Sequence, residues 1–395
     1  MKPFLQGRLI LFFLAISIMV LGAATAYAAS QPEDLMKQQE NSLHTDQVDQ
    51  YWNQLMKEYG GYFPGDRTPS FQHMLAQGEH NGFSLSAVFS AILRYFLHEI
   101  LLNGKLLASI IILTVFSMIL ETLQSAFEKK SVSKIAYAIT YMVLVLIAMN
   151  SFSVAINYAK TSISGMIDFM VAMVPLLLTL LASMGSLASV SVMHPLIVFA
   201  VHTTGTLVYA VVFPLLFFST VLHIVSSLTD KYKVTQLANF MRSASVGLLG
   251  VFVTVFLGLI SVEGASASIT DGITLRTAKY VTGNFVPVVG RMFTDASDTV
   301  IGASLLIKNA VGLMGVIIII FLCAFPAIKI LTIAIIYSLA AAVMQPLGNS
   351  PIISCLSTIG KNMMYIFAAL LAVGLMFFLA ITIMITAGNV SVLMR

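Results

Sequence analysis

Val281 to Ile330 reads VTGNFVPVVGRMFTDASDTVIGASLLIKNAVGLMGVIIIIFLCAFPAIKI. It begins polar, with Thr282, Gly283 and Asn284, and turns through Pro287 and Gly290. Asp295 and Asp298 stand one helical turn apart, and Lys308 and Asn309 mark the mouth of a long apolar run that contains Gly312. Pro326 and Lys329 close the run. A bare membrane anchor needs only about 20 apolar residues. A segment with this much polar patterning at its entrance reads as the working part of a multi-span membrane protein.

The rest of the chain agrees with that reading. It is 58% hydrophobic and 10% charged, where a soluble domain carries roughly 45–50% and 25%. A soluble protein of this length would need charge to cover its surface, and this chain lacks it. The fold class is therefore all-α: a polytopic helical membrane protein with about seven spans or re-entrant segments. The charge is divided unevenly. Between Ala29 and Phe83 stand eight acids and three bases, and beyond Phe83 sixteen bases and nine acids. The formal net charge of +4 thus sums two compartments and does not point to nucleic acid. Cys323 and Cys355 have no spacing that suggests a disulfide framework or a metal site.

Three regions follow in order. Residues 1–28 have a basic start (Lys2, Arg8), an apolar run and the small-residue site Ala26-Tyr27-Ala28, the pattern of a signal peptide. Residues 29–82 form an acidic, extracytoplasmic arm in which Val48, Trp52, Leu55 and Tyr59 recur at helical spacing. So short a piece is marginal alone, so the arm is expected to lean on the membrane part or on a partner. Residues 83–395 form the membrane domain, with a polar connection at 261–308.

Within that domain, Phe83–Leu102 carries Arg94, His98 and Glu99 and suits a helix lying at the interface. His98-Glu99 is not a zinc-protease signature, because Leu102 stands where the second histidine would be. Spans are expected at Leu106–Phe127, Ile135–Ala159, Leu196–Leu222, Ser243–Ile260, Asn309–Phe325, Ala327–Met344 and Met363–Ala387, the last pair of breaks falling at Pro326 and in an outer loop over Gln345–Asn362. Lys129, Lys130 and Lys134 should face the cytoplasm by the positive-inside rule. Placing Lys231 and Lys233 there too requires Asp168–Ser189 to be a re-entrant hairpin. Arg395 is then expected inside. A short echo, Val246-Gly-Leu-Leu-Gly-Val against Val311-Gly-Leu-Met-Gly-Val, suggests close helix contacts at its glycines.

No phosphate-binding loop and no dinucleotide fingerprint occurs, and His194, His202 and His223 are too dispersed for a metal site. Neither an enzyme nor a cofactor is expected. Intramembrane polar groups are the functional candidates by default; of Glu121, Asp168, Lys308 and Lys329, Lys308 is the strongest, while Glu121 and Lys329 read as snorkelling helix ends. Asp295 and Asp298 before Lys308 could set both signs of charge near one opening.

The run Gly283-Asn284-Phe285-Val286-Pro287-Val288-Val289-Gly290, then Asp295-Ala-Ser-Asp298, then Lys308-Asn309-Ala310-Val311-Gly312, resembles the stage III sporulation protein AE family of endospore-forming bacteria. That resemblance implies a membrane subunit of a secretion-like channel, or feeding tube, between mother cell and forespore, needed for late forespore gene expression. It implies partners from the same sporulation operon, including a secretion-type ATPase and ring-forming proteins, and indirectly stage II sporulation protein Q. It assigns no catalytic residue. The competing reading is a self-sufficient small-molecule permease.

Overall fold

The computed structural model describes residues 46–63, 85–126, 131–185, 187–228, 233–285, 289–347 and 350–393. The stretch 1–28, expected to be a signal peptide, most of the acidic arm, and Pro287 lie outside the described residues. Everything regular in the described residues is helical. The helices are α1 (Asp46–Tyr59), α2 (Leu85–Leu102), α3 (Gly104–Ala126), α4 (Ser131–Ser183), α5 (Leu187–Leu207), α6 (Phe213–Leu228), α7 (Thr235–Phe285), α8 (Val289–Met344) and α9 (Pro351–Leu393). Four of them (α4, α7, α8 and α9) contain stretches long and apolar enough to cross a membrane, α5 and α6 together (Met193–Ser227) make a fifth, and the bent pair α2–α3 can supply a sixth span.

The all-α, polytopic expectation holds, and the segmentation differs. Pro326 was expected to separate two spans, yet it sits inside the unbroken α8. A proline removes one N–H and leaves the carbonyl four residues back without its helical partner. Here that carbonyl belongs to Leu322, and the Ser162 hydroxyl of α4 donates to it at 2.6 Å. The defect is repaired from a neighbouring helix, so the rod continues. Pro214 is handled differently. It follows a π turn at Val208–Val212, an insertion that moves the clashing carbonyl aside, and Ser245 of α7 donates to the Val212 carbonyl at 3.2 Å.

The expected outer loop Gln345–Asn362 is also mostly helix. Ser350 caps α9, its hydroxyl accepting from the Ile352 N–H at 3.4 Å, and Pro351 occupies the first helical position, where its missing N–H costs nothing.

The re-entrant hairpin at Asp168–Ser189 is absent as well. Residues 168–183 complete α4, and the chain reverses at Gly185, whose φ of 84° lies in the left-handed region that glycine enters freely. One long traversal replaces a span plus a hairpin, and the number of crossings before α7 keeps the same parity. Tyr141 of α4 and Ser227 of α6 share a hydrogen bond of 2.8 Å. Lys134, in the first turn of α4, and Lys233, just before α7, therefore lie at one end of the bundle, called here the basic end. Merging 309–344 into one helix removes a crossing, so α9 starts at this end and finishes at the other. Arg395 itself is not described, but the helix before it does not return to the lysine side.

The core lies between α4, α8 and α9. Met166, Phe169, Met173, Phe325, Tyr337, Leu370 and Phe377 are all fully buried. The α8–α9 pair is antiparallel and closely apposed. A Cβ on Gly360 would sit 3.1 Å from the Ser338 backbone nitrogen and 3.2 Å from the Ala334 carbonyl oxygen, so only glycine lets the two backbones meet there. Gly374 faces Cys323 and Gly312 faces Ile385 in the same way. Of the echoed glycines, Gly312 and Gly315 are packed, whereas Gly247 and Gly250 have open space beside them. The two halves of that echo are not structurally equivalent.

The α1 arm leans on this core as its periodicity demands. Val48, Trp52, Leu55 and Tyr59 are buried, with Trp52 near Phe321 at 6.5 Å and Tyr59 stacked on Phe325 at 3.9 Å.

Candidate functional site: two polar clusters along α8

The sequence-derived candidates fall at three places. Pro287 is outside the described residues. Asn284 closes α7, and Gly290 and Asp295 lie in the first turns of α8, all as parts of helices. Asp298 is exposed. It precedes Lys308 on the same straight helix by about 15 Å of rise at 1.5 Å per residue. Exposed Asp298 and buried Lys308 do not share one opening.

Lys308 finds its partners on α9 instead. Its ammonium, fully buried, donates to the Ile385 carbonyl at 2.7 Å and to Asn389 Oδ1 at 2.9 Å. Gly312 lies one helical turn on and faces Ile385, so the absent side chain brings α9 within reach of the lysine. Asn309, half-buried beside it, leaves Oδ1 without a partner among the described residues. Among the described residues the acceptors that hold this buried cation are neutral, with no carboxylate. Pro326 belongs to a different level of α8 and acts through the Leu322–Ser162 bond already described.

The second cluster surrounds Lys329. Its Nζ lies 3.7 Å from Glu99 Oε1 and 4.3 Å from the centre of the Tyr158 ring, an attractive position for a cation. Glu99 is buried, whereas its neighbours Arg94 and His98 are exposed. The expected interfacial helix thus turns Glu99 inward rather than to water. Asn103, at the 41° bend between α2 and α3, donates to Glu99 Oε2 at 3.2 Å. Tyr95 and Phe325 meet edge to face at 5.1 Å, and Tyr59 of the arm packs on both. Burial, with the adjacent Glu58 carboxylate as the next cause, holds the Tyr59 hydroxyl above its usual range. Reading Lys329 as a snorkelling end missed this pair. The available signal was a lone acid and a lone base of opposite sign in separate apolar segments, each costly unless they meet.

Among the described residues, no group of His, Cys, Asp and Glu could hold a metal ion. Both cysteines are free and buried.

Long apolar helices, an apolar core and a few internally paired charges define a polytopic membrane protein. Residues 68–388 match the family described as Stage III sporulation protein AE (spore_III_AE). The chain is also 53% identical over 367 residues to "Stage III sporulation protein AE" of Bacillus subtilis (strain 168), covering 93% of this chain and 92% of that one. No solved structure matches. The chain belongs to the stage III sporulation protein AE family.

Proposed function

We propose that this chain is the membrane subunit of a secretion-like channel complex, a feeding tube between mother cell and forespore, required for late forespore gene expression. Its family supports a role in sporulation. The observation that favours a complex subunit over a self-sufficient permease is the handling of buried charge. Glu99 is the one buried carboxylate among the described residues, and it is already engaged by Lys329 and Asn103. Lys308 is held by neutral groups. A coupled permease needs titratable groups in series through its bundle, and the described core offers no such series.

On this reading the protein is a non-enzymatic component of the mother-cell membrane around the forespore. Its N-terminus is extracytoplasmic after cleavage at Ala28, and the basic end with Lys134 and Lys233 faces the cytoplasm. Its partners are proteins of the same operon, including a secretion-type ATPase and ring-forming proteins, and indirectly stage II sporulation protein Q. The test is reconstitution of the purified chain alone in liposomes. Absence of small-molecule flux, together with loss of forespore reporter expression when the chain is deleted, is the expected result. Robust, saturable flux by the isolated chain would establish the permease instead.

A further inference from the structure

The arm docks on the bundle at a depth unusual for a polar helix. Between Lys308 and Lys329 of α8, and between Arg242 and Glu263 of α7, no charged residue occurs. Each stretch has about the 20 residues that cross a hydrocarbon core. Trp52 and Tyr59 of α1 pack on Phe321 and Phe325, inside the first stretch. On α9, Gly374 faces Cys323, and Phe377, one turn on, meets Phe256 of α7 at 5.9 Å. Phe256 lies inside the second stretch, so α1 sits within the depth of both.

The exposed faces at that depth differ in kind. α7 presents Val251, Val255, Leu259 and Val262. α2, whose Tyr95 meets Phe325 at 5.1 Å, presents Phe89, Leu93, Leu97 and Leu101. Both faces suit lipid. Every exposed residue of α1 is polar: Gln50, Asn53, Gln54, Lys57 and Glu58. The polar surface continues onto α4, where exposed Asp168 shares with Gln50, Tyr51 and Gln54 an open hollow of about 450 Å³. On α2 the change of character falls between adjacent residues. Arg94 and His98 are exposed next to Leu93 and Leu97, and His98 lies 5.6 Å from the Tyr62 ring that follows α1.

We infer that α1 and the adjoining strips of α2 and α4 face water at the depth of the hydrocarbon, as the wall of an aqueous vestibule, while α7 and the leucine side of α2 face lipid. A lysine, a glutamate and three amides turned toward acyl chains would each be costly. Polar side chains at membrane depth persist where they line a water-filled cavity. The inference rests on the channel reading and names the side of this chain along which the passage runs.

The experiment places Asn53→Cys, Lys57→Cys, Leu97→Cys and Val255→Cys, all at exposed positions, one at a time in the full chain. Both native cysteines are buried, and the parent chain gives the background. Open membrane fragments from sporulating cells are treated with a charged maleimide that does not enter lipid. A thiol in water ionises and reacts, and one in hydrocarbon does so at least about a hundredfold more slowly. Asn53→Cys and Lys57→Cys should therefore be modified at least about a hundredfold faster than Leu97→Cys and Val255→Cys. In liposomes, a bimane attached at Leu97→Cys or Val255→Cys should be quenched by phospholipid brominated at mid-chain, which fixes the depth of α1 within the hydrocarbon. Absence of that quenching places α1 outside the bilayer, makes its polar face an ordinary surface and overturns the inference. Slow modification at all four positions overturns it too, because α1 is then covered by lipid or protein. Neither readout uses transport, so saturable flux by the isolated chain would remove the channel reading and leave this contrast standing.

Discussion

Removing Lys329 should damage the protein more than removing Glu99, and the asymmetry can be worked from their exposures. The Glu99 side chain is 5% exposed and that of Lys329 is 30%. In Lys329→Met the carboxylate loses its counterion and keeps only neutral donors, the Asn103 amide and the Tyr95 hydroxyl, and breaking a buried pair in this way costs about 3–5 kcal/mol. In Glu99→Gln the ammonium keeps the Tyr158 ring and partial solvent, so the expected loss is about 1 kcal/mol. The double variant should resemble Glu99→Gln, because nothing charged is left stranded. Trp52, the single tryptophan of the chain, is buried near this cluster, so its fluorescence follows unfolding in detergent directly. A Glu99→Gln loss equal to or greater than that of Lys329→Met, or a double variant that loses as much as Lys329→Met, would refute the reasoning.

Four other perturbations test separate elements. Ser162→Ala should cost about 1–3 kcal/mol by orphaning the Leu322 carbonyl, and much less in a Pro326→Ala background where the helix can use that carbonyl itself; a double-mutant cycle by thermal unfolding reads the difference. Gly360→Ala should lower stability by about 1–3 kcal/mol because the obstacle is α8 backbone, whereas Gly250→Ala, with open space around it, should be neutral or slightly stabilising in the same measurement. Trp52→Ala should remove about 3–5 kcal/mol of packing and release α1, detected as faster proteolysis of the arm with the membrane helices intact. Lys308→Leu exchanges two hydrogen bonds for relief of a buried charge, nearly offsetting terms, so membrane abundance should hold while sporulation efficiency falls; unchanged sporulation would show that Lys308 serves packing alone.

What was legible in the sequence was local. The spacing of Val48, Trp52, Leu55 and Tyr59 announces a helix with one buried face, and all four are buried. The lysine bias places Lys134 and Lys233 at one end, and they lie there, although by a route without the expected hairpin. What failed was punctuation. Pro326 reads as a break because a proline orphans a carbonyl, and the group that satisfies this one is Ser162, 160 residues away. The Glu99–Lys329 pair failed for the same reason: each charge looks like a helix end until the other is seen beside it. Lys308 is a buried ammonium whose partners, the Ile385 carbonyl and Asn389, stand on the last helix, where nothing near Lys308 in the sequence points to them.

The α8–α9 seam has a mechanical consequence. Ser338 meets Gly360, Cys323 meets Gly374, Ile385 meets Gly312 and Asn389 meets Lys308, each pair in one shared antiparallel register. Sliding either rod by a single turn would take three side chains off the glycines that make room for them and strand an ammonium. The pair is geared without backlash and can move only as one piece. Play in the machine must then come from its irregular joints, foremost the π turn at Val208–Val212, where an extra residue in the coil gives α5 and α6 a freedom to unwind that the geared pair lacks.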